Sequence, residues 1–315
     1  MNTDEQYMRR CLQLAKNGLQ NARPNPMVGA VIVDKDGNII GEGYHIRCGQ
    51  AHAEVNAFAD CERRGNNHLL SEATIYVSLE PCAHYGKTPP CADLIVRKAV
   101  RKCVVGCVDS FSEVSGRGIQ RIKDAGIEIV VGVLEEECRE LNRTFFTYHT
   151  HHRPFITLKW AQSADGFIDR DFQPVRISNE KTSMLAHKLR AENDGILVGR
   201  TTLERDKPSL TVRHWYGKEP KKFVLSSQKS ELSIPEDFTA ISSLEEMEGI
   251  QSLLVEGGAA VHKHFIDNGL WDIIRVEASA QLFHRGTKAA AIPQNAVLVS
   301  EKWYDGNVIR EYRKA

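Results

Sequence analysis

This sequence of 315 residues has no excess of either charge. Lysine and arginine together number 41, aspartate and glutamate 41, so the formal net charge is zero. A protein that reads polymeric nucleic acid usually carries a basic face, and the balance here disfavours that class of partner. Long apolar runs are missing as well. None approaches the roughly 20 residues that cross a bilayer as a helix, so no membrane partner is expected. The first residues, Met1-Asn2-Thr3-Asp4-Glu5, lack the basic and apolar segments of a secretory signal, which leads us to expect a cytoplasmic protein with reduced thiols. Cysteine is absent from the second half: all eight lie at or before Cys138. The length suggests about two domains, and this compositional break hints at two halves with separate histories. No Gly-x-Gly-x-x-Gly follows a strand, and there is no P-loop.

What is present is concentrated between Ala51 and Cys91. The stretch opens with Ala51-His52-Ala53-Glu54-Val55 and closes with Glu80-Pro81-Cys82-Ala83-His84-Tyr85-Gly86-Lys87-Thr88-Pro89-Pro90-Cys91. One imidazole and two thiolates fill three corners of a tetrahedral zinc site and leave the fourth for water, whose pKa the metal lowers toward neutrality. A carboxylate two residues after the histidine is then free to shuttle protons. Taken singly, His-Ala-Glu is a common tripeptide, and a cysteine pair is often two small buried hydrophobes. Their order and setting favour metal. His52 begins a helical pattern, Thr74-Ile75-Tyr76-Val77-Ser78-Leu79 reads as a strand, and Cys91 opens a second amphipathic run. His-x-Glu followed by Pro-Cys and a second cysteine is the signature of zinc deaminases that act on nucleobase-like rings.

The segment resembles the cytidine deaminase superfamily and, within it, the deaminase half of the bifunctional riboflavin-biosynthesis deaminase–reductases. Eight residues separate Cys82 from Cys91, where most of the superfamily has two, and this longer loop is similar to that of the riboflavin branch. Pro24-Asn25-Pro26-Met27-Val28-Gly29-Ala30-Val31-Ile32-Val33 matches the opening strand of the same branch. The resemblance implies that Asn25, His84 and Lys87 grip the pyrimidine and phosphate.

Along the chain, the patterns predict a helix over 4–18, a strand over 28–33, a turn at Lys35-Asp36-Gly37-Asn38 and a return strand over 39–46. After the metal segment come a strand at 102–108, a helix at 118–125, a strand at 127–131 and one long helix at 134–148. Alternating strands and helices imply a three-layer α/β/α sheet. The boundary falls near Thr147-Tyr148-His149-Thr150-His151-His152-Arg153-Pro154. Its histidines have no nearby carboxylate or thiolate and read as a solvated linker. The expected domains are therefore 1–149 and 150–315. In the second, strands are predicted at 155–161, 195–199, 222–227, 252–256 and 273–276. Helices are predicted at 180–192 and from Gly257-Gly258 to Gly269, with a long polar loop over 200–213 and a closing hairpin turning at Asp305-Gly306. Strand–Glu-Gly-Gly–helix leaves free backbone N–H groups at a helix start, which is an anion site by geometry or simply a tight turn that needs glycine.

The second half resembles the reductase of the same bifunctional family in three blocks: Lys159-Trp160-Ala161-Gln162-Ser163-Ala164-Asp165-Gly166, the stretch from Val198-Gly199-Arg200-Thr201-Thr202 through Asp206-Lys207-Pro208 to Leu210-Thr211-Val212-Arg213, and Val255-Glu256-Gly257-Gly258. That likeness implies a dihydrofolate-reductase-like α/β fold and NADPH. It places Lys159, Arg190, Leu210, Arg213 and Glu256 toward the ribose phosphate or pyrimidine. Ser163, Thr202, Asp206, Ser227 and the turn Gly258, Ala259 and Ala260 fall toward NADPH. Three departures stand out. Arg176-Ile177-Ser178 replaces Trp-Ile-Thr, Asp206-Lys207-Pro208 replaces Asp-Asp-Pro, and the segment between Arg213 and Ser226 is short.

The expected protein is thus a bifunctional riboflavin-pathway enzyme acting on a small pyrimidine ribose phosphate, and a homo-oligomer. Zn2+ would be held by His52, Cys82 and Cys91, with Glu54 as the catalytic proton carrier. A tRNA or free-nucleoside deaminase with an unrelated C-terminal domain is the alternative, opposed by the cysteine spacing and neutral charge. A zinc-stabilised scaffold has no use for Glu54 and would ordinarily carry a fourth protein ligand.

Overall fold

Tyr7, Met8, Cys11, Leu12 and Ala15 recur at helical spacing, and helix α1 (Thr3–Ala15) buries all five beneath one sheet. The computed structural model describes residues 3–85, 89–109, 115–228 and 234–315, and the chain divides into two compact units, Met1–His152 and Arg153–Ala315. Lys87 lies outside the described residues.

In the first unit the elements after α1 are β1 (Gly29–Val33), β2 (Ile39–Tyr44), α2 (Ala53–Arg63), β3 (Thr74–Leu79), α3 (Cys91–Lys98), β4 (Lys102–Cys107), α4 (Arg117–Asp124), β5 (Glu128–Val131), α5 (Glu135–Leu141) and α6 (Arg143–His151). The sheet runs β2-β1-β3-β4-β5. β1 is antiparallel to both neighbours, and β3, β4 and β5 are parallel. Every residue of β1 and β3 is buried, as strands covered on both faces must be. α1 and α5 pack on one side; α2, α3 and α4 form a row on the other. These are the three layers expected.

Two sequence expectations fail here. The helix predicted over 134–148 is broken at Asn142, whose backbone leaves the helical region (φ −107°, ψ 21°). Its buried amide is committed elsewhere: Oδ1 accepts from the Met27 N–H at 2.8 Å and Nδ2 donates to the Met27 carbonyl at 2.9 Å. A partner 115 residues away leaves no periodic trace. The histidines read as a linker instead end a helix, with His149 and His151 in the last turn of α6 and His152 at its C-cap.

The second unit comprises β6 (Phe155–Gln162), α7 (Glu180–Ala191), β7 (Gly195–Gly199), α8 (Arg200–Asp206), β8 (Lys221–Leu225), β9 (Phe238–Ile241), β10 (Ser252–Gly257), α9 (Ala259–Asp267), β11 (Ile273–Ala278), β12 (Ala296–Tyr304) and β13 (Asn307–Lys314). The sheet order is β12-β13-β11-β6-β10-β7-β8-β9. The six strands from β11 to β9 are parallel, and the β12–β13 hairpin adds an antiparallel edge. This is the α/β sheet expected of a dihydrofolate-reductase-like domain. The loop predicted over 200–213 contains α8, a short helix supported by the Arg200–Glu204 pair and by one buried apolar residue, Leu203. One anchor is too few to register as a period. β9 is a further strand that sequence reading did not mark.

Candidate functional site

The donors at the metal motif come from three local structures. His52 is the N-cap of α2, its backbone extended at φ −74° and ψ 169°. Cys82 lies just past β3, and Cys91 is the first residue of α3. One donor atom from each lies within 4.8 Å of the others. His52 Nδ1 is 3.7 Å from the Cys82 sulfur and 3.4 Å from the Cys91 sulfur. Tetrahedral zinc with Zn–S of about 2.3 Å and Zn–N of about 2.0 Å requires an N···S edge of about 3.5 Å. The donor set and spacing therefore fit zinc, with three protein ligands among the described residues.

Electrostatics at this site follow from burial. The Cys91 N–H donates to the Cys82 sulfur at 3.3 Å. Bonding from the Cys91 thiol, and then from His52, holds the Cys82 thiol well below the ordinary range, while Cys91 is pushed the other way by Cys82 and by burial. His52 is raised, chiefly by its bond with Cys82. Glu54, in the first turn of α2, is 3% exposed, and burial followed by the Cys82 charge pushes it up to about 7. A carboxyl group near neutrality both takes and gives a proton readily.

Sequence reasoning passed over two residues here. His45 is buried; its Nδ1 lies 3.1 Å from the Ala51 carbonyl and its Nε2 lies 3.2 Å from Asn25 Nδ2. A carbonyl only accepts and an amide nitrogen only donates, so Nδ1 carries the proton and Nε2 receives the Asn25 N–H. That turns the Asn25 amide nitrogen toward His45 through one of its two N–H donors. Glu80 is the second. Its buried carboxylate accepts from the backbone N–H groups of Asp109, Gly116, Gly118 and Ile119 at 3.0–3.4 Å, tying the start of α4 to the segment that carries Cys82. A Cβ on Gly118 would stand 1.9 Å from the Pro81 carbonyl oxygen, so only glycine fits. His84 is exposed.

In the second unit, Arg190 at the end of α7 forms a two-pronged pair with Glu256 at the end of β10, Nε–Oε1 2.8 Å and Nη2–Oε2 2.7 Å. Burial alone would raise Glu256, but Arg190 and Lys159 outweigh it and hold the carboxylate below its usual range. Arg190 Nη1 also donates to the Thr211 carbonyl at 3.1 Å. Leu210 is buried with φ +50°, and exposed Arg213 donates to the hydroxyls of Ser209 and Thr211.

The second unit also contains a cavity of about 480 Å³ lined by Gly199, Thr202, Asp206, Gly258, Ala259 and Ala260 among others. Arg200 and Thr201 line it as well, where β7 turns into α8. Burial, and secondarily Asp169, raises Asp206. Two predicted cofactor residues are placed outside this lining. Ser163 is fully buried, its hydroxyl donating to Asp165 at 2.6 Å and accepting from the Phe167 N–H, and Ser227 is exposed beyond β8. Arg176, exposed, donates to the Ser178 carbonyl.

Comparison with known proteins bears on both units. A family model described as the cytidine and deoxycytidylate deaminase zinc-binding region matches residues 1–107, and one described as the RibD C-terminal domain matches 154–282. The riboflavin biosynthesis protein RibD of Aquifex aeolicus is 44% identical over 234 residues, which is 74% of this chain and 63% of that relative. The chain thus spans 63% of the length of that curated relative and a similar share of the Actinobacillus pleuropneumoniae protein. The RibD of Bacillus amyloliquefaciens is 34% identical over 314 residues, 85% of this chain and 82% of the relative. Among solved structures, a diaminohydroxyphosphoribosylaminopyrimidine deaminase/5-amino-6-(5-phosphoribosylamino)uracil reductase from Thermotoga maritima superposes with a TM-score of 0.91 at 33% identity, covering 99% of both chains. With such identity sustained across both units, this chain belongs to the family of the riboflavin biosynthesis protein RibD.

Proposed function

We propose that this chain is a bifunctional riboflavin-pathway enzyme, with a deaminase in residues 1–149 and a reductase in 150–315. The first domain hydrolyses the 2-amino group of 2,5-diamino-6-ribosylamino-4(3H)-pyrimidinone 5′-phosphate, and the second reduces the ribosyl to a ribityl chain. One observation carries this reading: His52, Cys82 and Cys91 converge beside buried Glu54 in a geometry that suits zinc.

His52, Cys82 and Cys91 would hold zinc, which would supply Lewis acidity to activate a water molecule. Glu54 would take a proton from the attacking water and pass it to the ring nitrogen, then take the proton of the newly formed hydroxyl and pass it to the leaving amino group, which departs as ammonia while the carbonyl forms. Asn25, its amide oriented by His45, presents an oxygen to the pyrimidine, with His84 and Lys87 as further contacts. NADPH supplies the hydride of the second step. Thr202, Asp206, Gly258, Ala259 and Ala260 hold it along the cavity. Lys159, Arg190, Leu210, Arg213 and Glu256 orient the ribose phosphate.

We place the enzyme in the cytoplasm as a homo-oligomer. Among the described residues no helix is long and apolar enough to cross a membrane. β12 is an edge strand on which Val297, Leu298 and Val299 are about half exposed and Trp303 is 65% exposed. An unpaired apolar edge favours pairing with its own copy about a two-fold axis. Charge replacement of Val297 and Val299 should shift sedimentation to the monomer; an unchanged profile removes β12 from the interface.

The central test is incubation of zinc-loaded protein with the diaminopyrimidinone phosphate, with and without NADPH, followed by mass analysis. Ammonia and a uracil product are expected without NADPH, and a product richer by two hydrogens with it. No ammonia release would overturn the deaminase assignment, and unconsumed NADPH the reductase.

A further inference from the structure

Between Lys207 and Arg213 the chain takes an unusual course. Lys207 and Leu210 both have positive φ, 41° and 50°, and Leu210 is nonetheless 3% exposed. A leucine in the left-handed region persists only where its surroundings over-determine it. The structure contains the restraint. The carbonyl of Thr211 receives two donors from α7, His187 Nδ1 at 2.7 Å and Arg190 Nη1 at 3.1 Å. Thr211 thus sits at the centre of the loop, its carbonyl held by α7 and its hydroxyl receiving Arg213.

We propose that His187 is a positioning residue of the reductase, whose Nδ1–H fixes the Thr211 carbonyl and so sets Leu210 and Arg213 against the substrate's ribose phosphate. This rests on the reading above that the loop binds that phosphate. Because a carbonyl only accepts, the proton must be on Nδ1. His187 is 4% exposed, and burial first, then the charges of Arg190, His214 and Arg213, lower its pKa and keep the ring neutral. Its ring stands edge-on to His214 at 4.7 Å between centroids. Arg190 alone is a poor substitute for this bond. Its other two N–H arms are committed to Glu256, and a second donor of different geometry is what makes the carbonyl's direction unique.

The chemistry gives a discriminating test, because asparagine places an amide N–H where histidine has Nδ1 and glutamine places it where histidine has Nε2. Full-length, zinc-loaded His187→Asn, His187→Gln and His187→Leu are compared with wild type for NADPH oxidation on 5-amino-6-(5-phosphoribosylamino)uracil. NADPH affinity is followed by fluorescence and folding by thermal melts. The expected result is KM within about twofold of wild type for His187→Asn and raised about tenfold or more for His187→Gln and His187→Leu, with kcat changed less and NADPH affinity unmoved. Should His187→Leu fail to fold, the Asn–Gln pair carries the comparison. A wild-type KM in His187→Gln, or equal losses in the Asn and Gln variants, would overturn the assignment. A wild-type enzyme that does not reduce this substrate would instead defeat the functional reading on which it rests.

Discussion

The two candidate sites treat charge in opposite ways. In the first unit, two sulfurs, an imidazole and a buried carboxyl group crowd together, and their protonation is driven far from ordinary values. In the second, the buried carboxylate of Glu256 is already matched by Arg190 and faces Lys159. One site gathers a donor set that suits a cation. The other is balanced within the chain and needs only a surface for its ligands. A short sequence motif betrays the first arrangement, because its ligands sit on two helix starts and one loop. The second is assembled from α7, β10 and the 207–213 loop, and only the fold brings them together.

The contrast is sharpest at Glu54. Glu54→Gln keeps the shape and removes the proton carrier, so ammonia release should fall by about 10²–10⁴-fold while zinc content stays near one per chain. The same variant, given already deaminated substrate, should oxidise NADPH normally. Retained deamination would remove Glu54 from the chemistry, and loss of both activities in a folded protein would end the idea of two independent sites.

Breaking the balanced site should act on stability. Glu256→Ala leaves Arg190 and Lys159 facing each other in a half-buried setting, and removing one partner of a buried pair costs about 3–5 kcal/mol. Denaturant unfolding should show that loss in the second unit, with deamination unimpaired. A change under 1 kcal/mol would mean that solvent already screens the pair.

A third test uses pH. His262 of α9 is buried, its Nε2 is 3.1 Å from the Val255 carbonyl, and burial lowers its pKa from 6.5 to about 4. Because the unfolded chain takes up this proton first, His262 stabilises the fold fully above pH 6.5 and loses that contribution as pH falls toward 4. The loss amounts to about 3 kcal/mol at 1.36 kcal/mol per unit. His262→Gln should have a shallower decline in stability over that window, and parallel curves would refute the assignment.

Arg213 should show the smallest effect. It is exposed, and among the described residues it bonds to the neutral hydroxyls of Ser209 and Thr211, so a phosphate can recruit it without breaking an ion pair there. Arg213→Ala should raise KM about tenfold for the phosphorylated substrate and leave a dephosphorylated analogue nearly unaffected. Equal weakening of both substrates would show that the arginine does not read phosphate.

The legible parts of the molecule are those whose cause is local. The strand Thr74–Leu79 and the start of α3 at Cys91 follow from contiguous patterns, and the His52, Cys82 and Cys91 grouping follows from ligand chemistry. What escaped reading is held by distant partners. The helix break at Asn142 answers to Met27, His45 matters through Asn25, and His187 matters through Thr211. Each rests on one or two polar contacts across 20 or more residues, and none leaves a period or a motif. α8 and β9 escaped for a different reason: they are too short to carry a period of their own.

The place of β6 in its sheet also has a consequence in time. Its neighbours are β10 and β11, with Phe155 opposite Ser252 and Thr157 opposite Ile273. During synthesis β6 emerges with both edges bare, and its first partner follows 252 − 155 = 97 residues later. At about 5–20 residues per second the wait is roughly 5–20 s. Throughout it Phe155, Ile156, Leu158 and Trp160, all buried in the finished sheet, are without their cover. The first unit has no such delay, since β1 pairs at once with β2 across a short turn. The nascent chain therefore holds a folded first unit and an apolar strand awaiting its partners, and that interval is when a chaperone has most to protect.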